Sequence, residues 1–186
     1  MSDEIEAKMK VPDFSAILQK LREQGATRKG SELETNIFFD TPDGALRKAD
    51  KGMRIRIAIN ERGIKKCTVT FKGPLQKGPL KKREEIEFVV SGPKAVSELF
   101  AQLGYHETLS FEKRRESWLF HECEVDLDEL PFLGKYVEIE GPSEAKVMEA
   151  RSALNLAETD IIKRGYISLL DEYVRTNNIK DHHLRL

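Results

Sequence analysis

The sequence predicts an α+β domain whose strands carry one charged and one aliphatic face, the pattern of a sheet facing water or of a closed sheet with its charged face inward. Three observations carry this. The 186 residues suit one core rather than two. Segments of helical period interrupt six or more segments of strand period. The polar strand faces hold charged pairs at i, i+2 where an exposed strand would mix in Ser, Thr and Gln. A composition of 39% hydrophobic and 34% charged residues is polar but globular.

The elements follow in chain order. Glu4-Ile5-Glu6-Ala7-Lys8-Met9 alternates as a half-buried strand. Pro12 and Asp13 open a helix with Phe14, Ile17, Leu18 and Leu21 on one stripe, closed by Gly25. Residues 32–39 form a strand that ends at a turn through Asp40 to Gly44. Met53 to Ile59 puts Arg54 and Arg56 on one face, and a hairpin turn returns the chain through Cys67 to Lys72. Gly73 to Gly78 has the glycine spacing of a phosphate-binding loop, but Pro79 stands where the motif needs Lys, so it is a plain loop. The next strand, Lys82 to Val90, carries Arg83, Glu85 and Glu87 on one face. A helix from Pro93 to a closing Gly104 follows, echoing the first strand–helix–glycine unit at an offset of 79 residues. Strands at 111–120, 122–128 and 135–140 carry Lys113 and Arg115, then Glu124, Asp126 and Asp128, then Tyr136, Glu138 and Glu140. Ser143 caps a helix to about Leu156, and Asp160 opens another with Tyr166, Leu169, Leu170 and Tyr173. One domain over 1–176 is expected, with a mobile polar tail at 177–186.

The net charge of −1 hides a segregation. Arg47 to Arg83 holds thirteen Lys/Arg against two acids, and Glu116 to Asp160 holds twelve acids against three bases. Nucleic-acid binding by the basic stretch is disfavoured, because its cations alternate into one face without stacking aromatics. Apolar runs are too short for a membrane span or a signal peptide, so a cytoplasmic protein without a membrane partner is expected. Cys67 and Cys123 read as core residues; two thiols exclude a four-cysteine zinc site and leave a disulfide open. The four histidines lack zinc-site spacing. Paired carboxylates beside paired cations, converging on one axis, suit a triphosphate with a hard divalent metal.

The residues resemble a known family. Glu4-Ile-Glu-Ala-Lys8 is similar to the N-terminal signature of the CYTH superfamily, the triphosphate tunnel metalloenzymes. The resemblance continues through Asn36 to Pro42, Met53 to Arg56, Thr70 to Pro74, Lys82 to Glu87, Glu112 to Glu116, Leu127 to Gly134 and Tyr136 to Glu140. It implies an eight-stranded antiparallel β-barrel tunnel, open at both ends, with helices packed outside. It further implies that Glu4, Glu6, Glu138 and Glu140 bind Mg²⁺ or Mn²⁺. Lys8, Arg54, Arg56, Lys72, Arg83, Lys113 and Arg115 would bind the triphosphate. Glu85, Glu87, Asp128 and Lys8 would serve catalysis, by a second metal or by positioning the nucleophile. Asp126 shares the face of Asp128, but only Asp128 matches the family pattern. The substrate implied is a nucleoside triphosphate or inorganic tripolyphosphate, with a homodimer as the assembly considered. The motifs are most similar to class IV adenylate cyclases, which form cyclic AMP and pyrophosphate from ATP. The alternatives are a triphosphatase releasing phosphate and a non-catalytic polyphosphate or nucleotide binder.

Overall fold

Strand-period alternation and its interruptions are realised in fourteen elements. The computed structural model describes residues 2–186, with side chains from Glu4 onward. In chain order these are β1 (Ser2–Val11), α1 (Ser15–Glu23), β2 (Thr27–Asp40), α2 (Ala45–Lys48), β3 (Gly52–Asn60), β4 (Lys65–Lys72) and β5 (Lys81–Val89). There follow α3 (Pro93–Gln102), β6 (His106–Phe120), β7 (Cys123–Leu130), β8 (Gly134–Glu140), α4 (Glu144–Ala153), α5 (Tyr166–Thr176) and β9 (His183–Leu184). Eight strands pair antiparallel in the order β2-β3-β4-β5-β1-β8-β7-β6, and β6 returns to β2 to close the barrel. Closure leaves no long edge to template association. The expected eight-stranded antiparallel barrel with outer helices is what forms.

The repeat has a structural counterpart. Exchanging β1–β4 for β5–β8 reproduces the strand order in reverse, and β1 and β5 each lead into an outer helix. Gly25 and Gly104 close those helices at φ +72 and +86, a region that costs glycine nothing.

Outward residues build two cores. Ala7, Met9, Val125, Leu127, Val137 and Ile139 pack under Ile17 and Leu21 of α1 and Val147, Ala150 and Leu154 beside α4. Phe39, Met53, Ile55 and Val69 pack under Val96 and Phe100 of α3. At Gly141 a Cβ would lie 2.6 Å from Cys123 Sγ, so only glycine lets the end of β8 approach β7 this closely. Cys67 and Cys123 are buried free thiols. Among the described residues no helix is long and apolar enough to cross a membrane.

Two expectations at the C-terminus are corrected. The last helix begins at Tyr166, not at Asp160. The preceding stretch turns and runs irregularly, held by bonds to other elements: Arg151 donates to the carbonyls of Ala157 and Thr159, and the Ile162 amide donates to the Lys8 carbonyl at 2.7 Å. The tail is not loose, because His183 and Leu184 form β9, parallel to β6, with Leu184 buried. A third core lies across one end of the barrel, where Tyr166, Leu170 and Val174 of α5 meet the inward-facing Phe111, Leu130 and Tyr136.

Candidate active site in the barrel cavity

The period-2 pleat sends alternate residues of each strand inward. β1 presents Glu4, Glu6 and Lys8, and β8 presents Glu138 and Glu140. β3 presents Arg54 and Arg56, and β4 presents Thr70 and Lys72. Lys81 and Arg83 enter from β5, Lys113 and Arg115 from β6, and Asp126 from β7, around a cavity of about 520 Å³. Every sequence-predicted metal and phosphate residue lines it. Glu85, Glu87 and Asp128 do not: Asp128 is fully enclosed behind the wall, and Glu87 lies at the outer end of β5.

Most of the charge is neutralised within the wall. Arg115 meets Asp128 at 2.6 Å, Glu138 at 2.6 Å and Asp126 at 2.5 Å. Burial opposes its charge, but Asp128 and Asp126 outweigh it and raise the guanidinium pKa well above normal. Lys113 pairs with Asp128 at 3.1 Å and Glu34 at 3.4 Å. Lys72 bridges Glu4 at 2.7 Å and Glu85 at 3.3 Å, and Lys81 meets Glu6 at 2.6 Å. Lys8 is 3.2 Å from Glu138 and 3.7 Å from Glu6. Burial raises the Glu138 carboxyl, yet Lys8 and Arg115 more than reverse this and hold it well below the usual range. Arg83 ties the turn before β3 to the end of β4, donating to the Asp50 carbonyl, the Asp50 carboxylate and the Gly73 carbonyl within 2.7 Å.

Two places are left out of balance. Among the described residues Arg54, its side chain 12% exposed, has only Thr70 Oγ1 at 3.1 Å and a distant Glu87 at 3.9 Å, and its buried Nε has no partner. Burial and the adjacent Arg56 push its pKa down to about 10. Arg56 has little more, with Asn36 and Glu34 each at 3.4 Å. On the other side of the cavity Glu140 lies directly opposite Glu6 on β1 and Glu124 on β7. Desolvation, followed by Glu4 and Glu6, pushes its carboxyl up to about 7. One wall therefore has surplus cation and the other surplus carboxylate.

Sequence reasoning missed several participants. Glu34 and Asn36 share the inward face of β2 and support Arg56, Arg115 and Lys113. Their alternation within 32–39 was the available signal. Lys81 was lost by starting its strand one residue late. Asp126, on a face already noted, has its carboxyl pushed up to about 6 by burial against the opposing pull of Arg115. Tyr166 carried no sequence signal, since a helix stripe explained it.

Hard carboxylate oxygens on Glu4, Glu6, Glu138 and Glu140 suit Mg²⁺ or Mn²⁺, and the raised Glu140 carboxyl marks a place where added positive charge is favourable. The residues therefore fit a divalent cation, although among the described residues no three acidic, histidine or cysteine side chains already surround one metal position. Lys72 and Lys81 stand between them. Beside the charged groups the cavity is also lined by Phe38, Leu109 and Phe111, and by Asp40, His106 and His182.

Comparison with known proteins agrees with this geometry. A family model described as the CYTH domain matches residues 2–166. A Methanocaldococcus jannaschii protein named as a candidate adenylate cyclase is 29% identical, over 89% of this chain and 97% of its own. Adenylate cyclase CyaB of Aeromonas hydrophila is 27% identical, over 95% of this chain and 93% of its own. The solved structure of the PH1819 protein of Pyrococcus horikoshii superposes with a TM-score of 0.78 at 30% identity, covering 91% of this chain and 99% of that one.

Proposed function

The chain belongs to the CYTH domain family, and we propose that its cavity binds a linear triphosphate together with Mg²⁺ or Mn²⁺ and catalyses chemistry at phosphorus. The observation that carries this is the paired imbalance: the under-partnered Arg54 and Arg56 face a cavity whose opposite side crowds Glu140 against Glu4 and Glu6. Buried charge without a partner is costly. A polyanion with a divalent cation supplies both missing partners at once.

In this reading Arg54, Arg56, Lys72, Lys81, Lys113 and Lys8 hold phosphate oxygens, and Arg83 fixes the turn before β3. Glu4, Glu6, Glu138 and Glu140 hold the metal, which when bound neutralises phosphate charge and polarises the reacting phosphorus centre. Lys72 and Lys81 exchange carboxylate for phosphate as the ligand enters. Asp128 aims Arg115 and Lys113, while Glu85 and Glu87 of β5 balance Lys72 and Arg54. Once the ligand is seated, these charges act by preorganisation, stabilising the transition state with no further rearrangement.

The favoured reaction is cyclisation of ATP. The ribose 3′-oxygen bonds to the α-phosphorus, the bond from that phosphorus to the bridging oxygen breaks, and pyrophosphate leaves while the hydroxyl proton passes to solvent. Phe38, Leu109 and Phe111 on the lining offer apolar contacts that a nucleoside would use and inorganic tripolyphosphate would not. Relatives named as adenylate cyclases support the same choice. Hydrolysis to orthophosphate is the second reading, because the charged lining needs only the phosphates. A Hippeastrum protein with this fold, described as having a dominant triphosphatase activity, superposes at a TM-score of 0.70. Incubation with ATP or tripolyphosphate and Mg²⁺ or Mn²⁺, resolving cyclic AMP, pyrophosphate and orthophosphate, separates them. Cyclic AMP with equal pyrophosphate is expected; orthophosphate from tripolyphosphate with no cyclic nucleotide would replace cyclase by hydrolase.

A further inference from the structure

Residues 162–166 cross the end of β1 as a strap, and the last of them, Tyr166, opens α5 at the edge of the cavity. Its hydroxyl donates to Asp128 Oδ2 at 3.0 Å. Its ring lies under the Lys8 ammonium at 4.1 Å from the centroid and reaches the Lys113 ammonium at 5.5 Å. Tyr136 packs against the ring edge-on at 5.3 Å and fixes its plane. Lys8 also donates to the Arg164 carbonyl at 2.9 Å, so the strap gives this ammonium two uncharged partners in addition to its carboxylates. Lys8 is 1% exposed and Lys113 3% exposed.

We propose that Tyr166 is a positioning residue: its ring seats Lys8 and Lys113, and its hydroxyl orients Asp128, so that two of the phosphate-facing ammoniums are held in place before the ligand arrives. The inference rests on the triphosphate reading of the cavity. A π face attracts an ammonium without neutralising it, unlike a carboxylate. The ring therefore adds a contact that fixes the Lys8 ammonium without supplying a counter-charge that would compete with phosphate. Asp128, which also receives Lys113 at 3.1 Å and Arg115 at 2.6 Å, is locked by a third donor from outside the barrel. The family match ends at Tyr166, so the helix that carries it onward lies outside that match.

The test compares Tyr166→Phe, which keeps the ring, with Tyr166→Leu, which keeps apolar volume but removes the π face. The readouts are tripolyphosphate affinity with Mg²⁺, measured by calorimetry well below the unfolding midpoint, and the NMR signals of the lysine ammonium groups. The Phe variant should bind within about threefold of wild type. The Leu variant should bind about tenfold or more weakly, as loss of a desolvated cation–π contact implies. Ring-current-shifted ammonium signals should persist in wild type and Tyr166→Phe and vanish in Tyr166→Leu. Equal affinity in all three proteins, or two variants equally impaired with unshifted ammonium signals in wild type, would overturn the role of Tyr166 alone. Wild type that binds no tripolyphosphate would overturn the triphosphate reading and this inference with it.

Discussion

Replacing Arg54 by methionine should weaken ligand binding without weakening the fold, an outcome that separates a binding cation from a structural one. In the ligand-free protein Arg54 contributes one hydrogen bond to Thr70 at 3.1 Å and a 3.9 Å approach to Glu87, and carries a buried Nε without a partner. The hydrogen bond is worth about 0.5–1.5 kcal/mol, and the orphaned donor costs about 1–3 kcal/mol. Removing repulsion from Arg56 adds to the gain, so stability should be unchanged or raised by about 1–2 kcal/mol. Thr70 keeps its own bond to Glu87 at 2.8 Å. With triphosphate present the same change removes a charge-assisted phosphate contact of about 1.5–3 kcal/mol, roughly 10- to 150-fold in Kd. Urea unfolding gives the first quantity and titration with tripolyphosphate the second. A variant that loses more than about 1 kcal/mol of stability yet binds normally would refute the reasoning, since surplus charge would then be doing structural duty.

Arg115→Met should behave in the opposite way: it strips partners from Asp126, Asp128, Glu34 and Glu138 together, and breaking such a buried network costs about 3–5 kcal/mol. Urea unfolding of that variant beside Arg54→Met checks the contrast. Glu140, with a carboxyl near 7 in the folded protein and about 4.3 when unfolded, binds more protons in the native state between those values. Its contribution to stability is therefore present at low pH and lost as pH rises through about 7. A divalent cation competing with that proton should raise the thermal midpoint more at pH 8 than at pH 6, and Glu140→Gln should flatten the difference.

Much of the fold was legible because the barrel uses a period-2 code on nearly every strand. Glu4/Glu6, Arg54/Arg56, Lys113/Arg115 and Glu138/Glu140 each disclose a face, and the faces meet once the sheet closes. What was hidden depended on partners distant in sequence. Glu34 and Asn36 look like ordinary polar strand residues until Lys113 and Arg115 arrive from β6, paired with β2. Tyr166 meets every requirement of a helix core residue, and only tertiary packing places its ring against Lys8, 158 residues earlier. The start of α5 was misplaced for the same reason: the bonds of Arg151 to the Ala157 and Thr159 carbonyls and of the Ile162 amide to the Lys8 carbonyl hold this stretch against distant elements, and no local pattern discloses them. Leu184, in a tail of polar composition, is buried by the strand it adds to β6.

Calorimetric titration of the wild-type protein with tripolyphosphate, with and without Mn²⁺ and at two salt concentrations, tests the central claim most directly. Saturable 1:1 binding that strengthens markedly with Mn²⁺ and changes little with salt is predicted, because the charges sit in an enclosed cavity where screening is weak. Binding indifferent to Mn²⁺ and falling steeply with salt, as at an exposed basic surface, would contradict it.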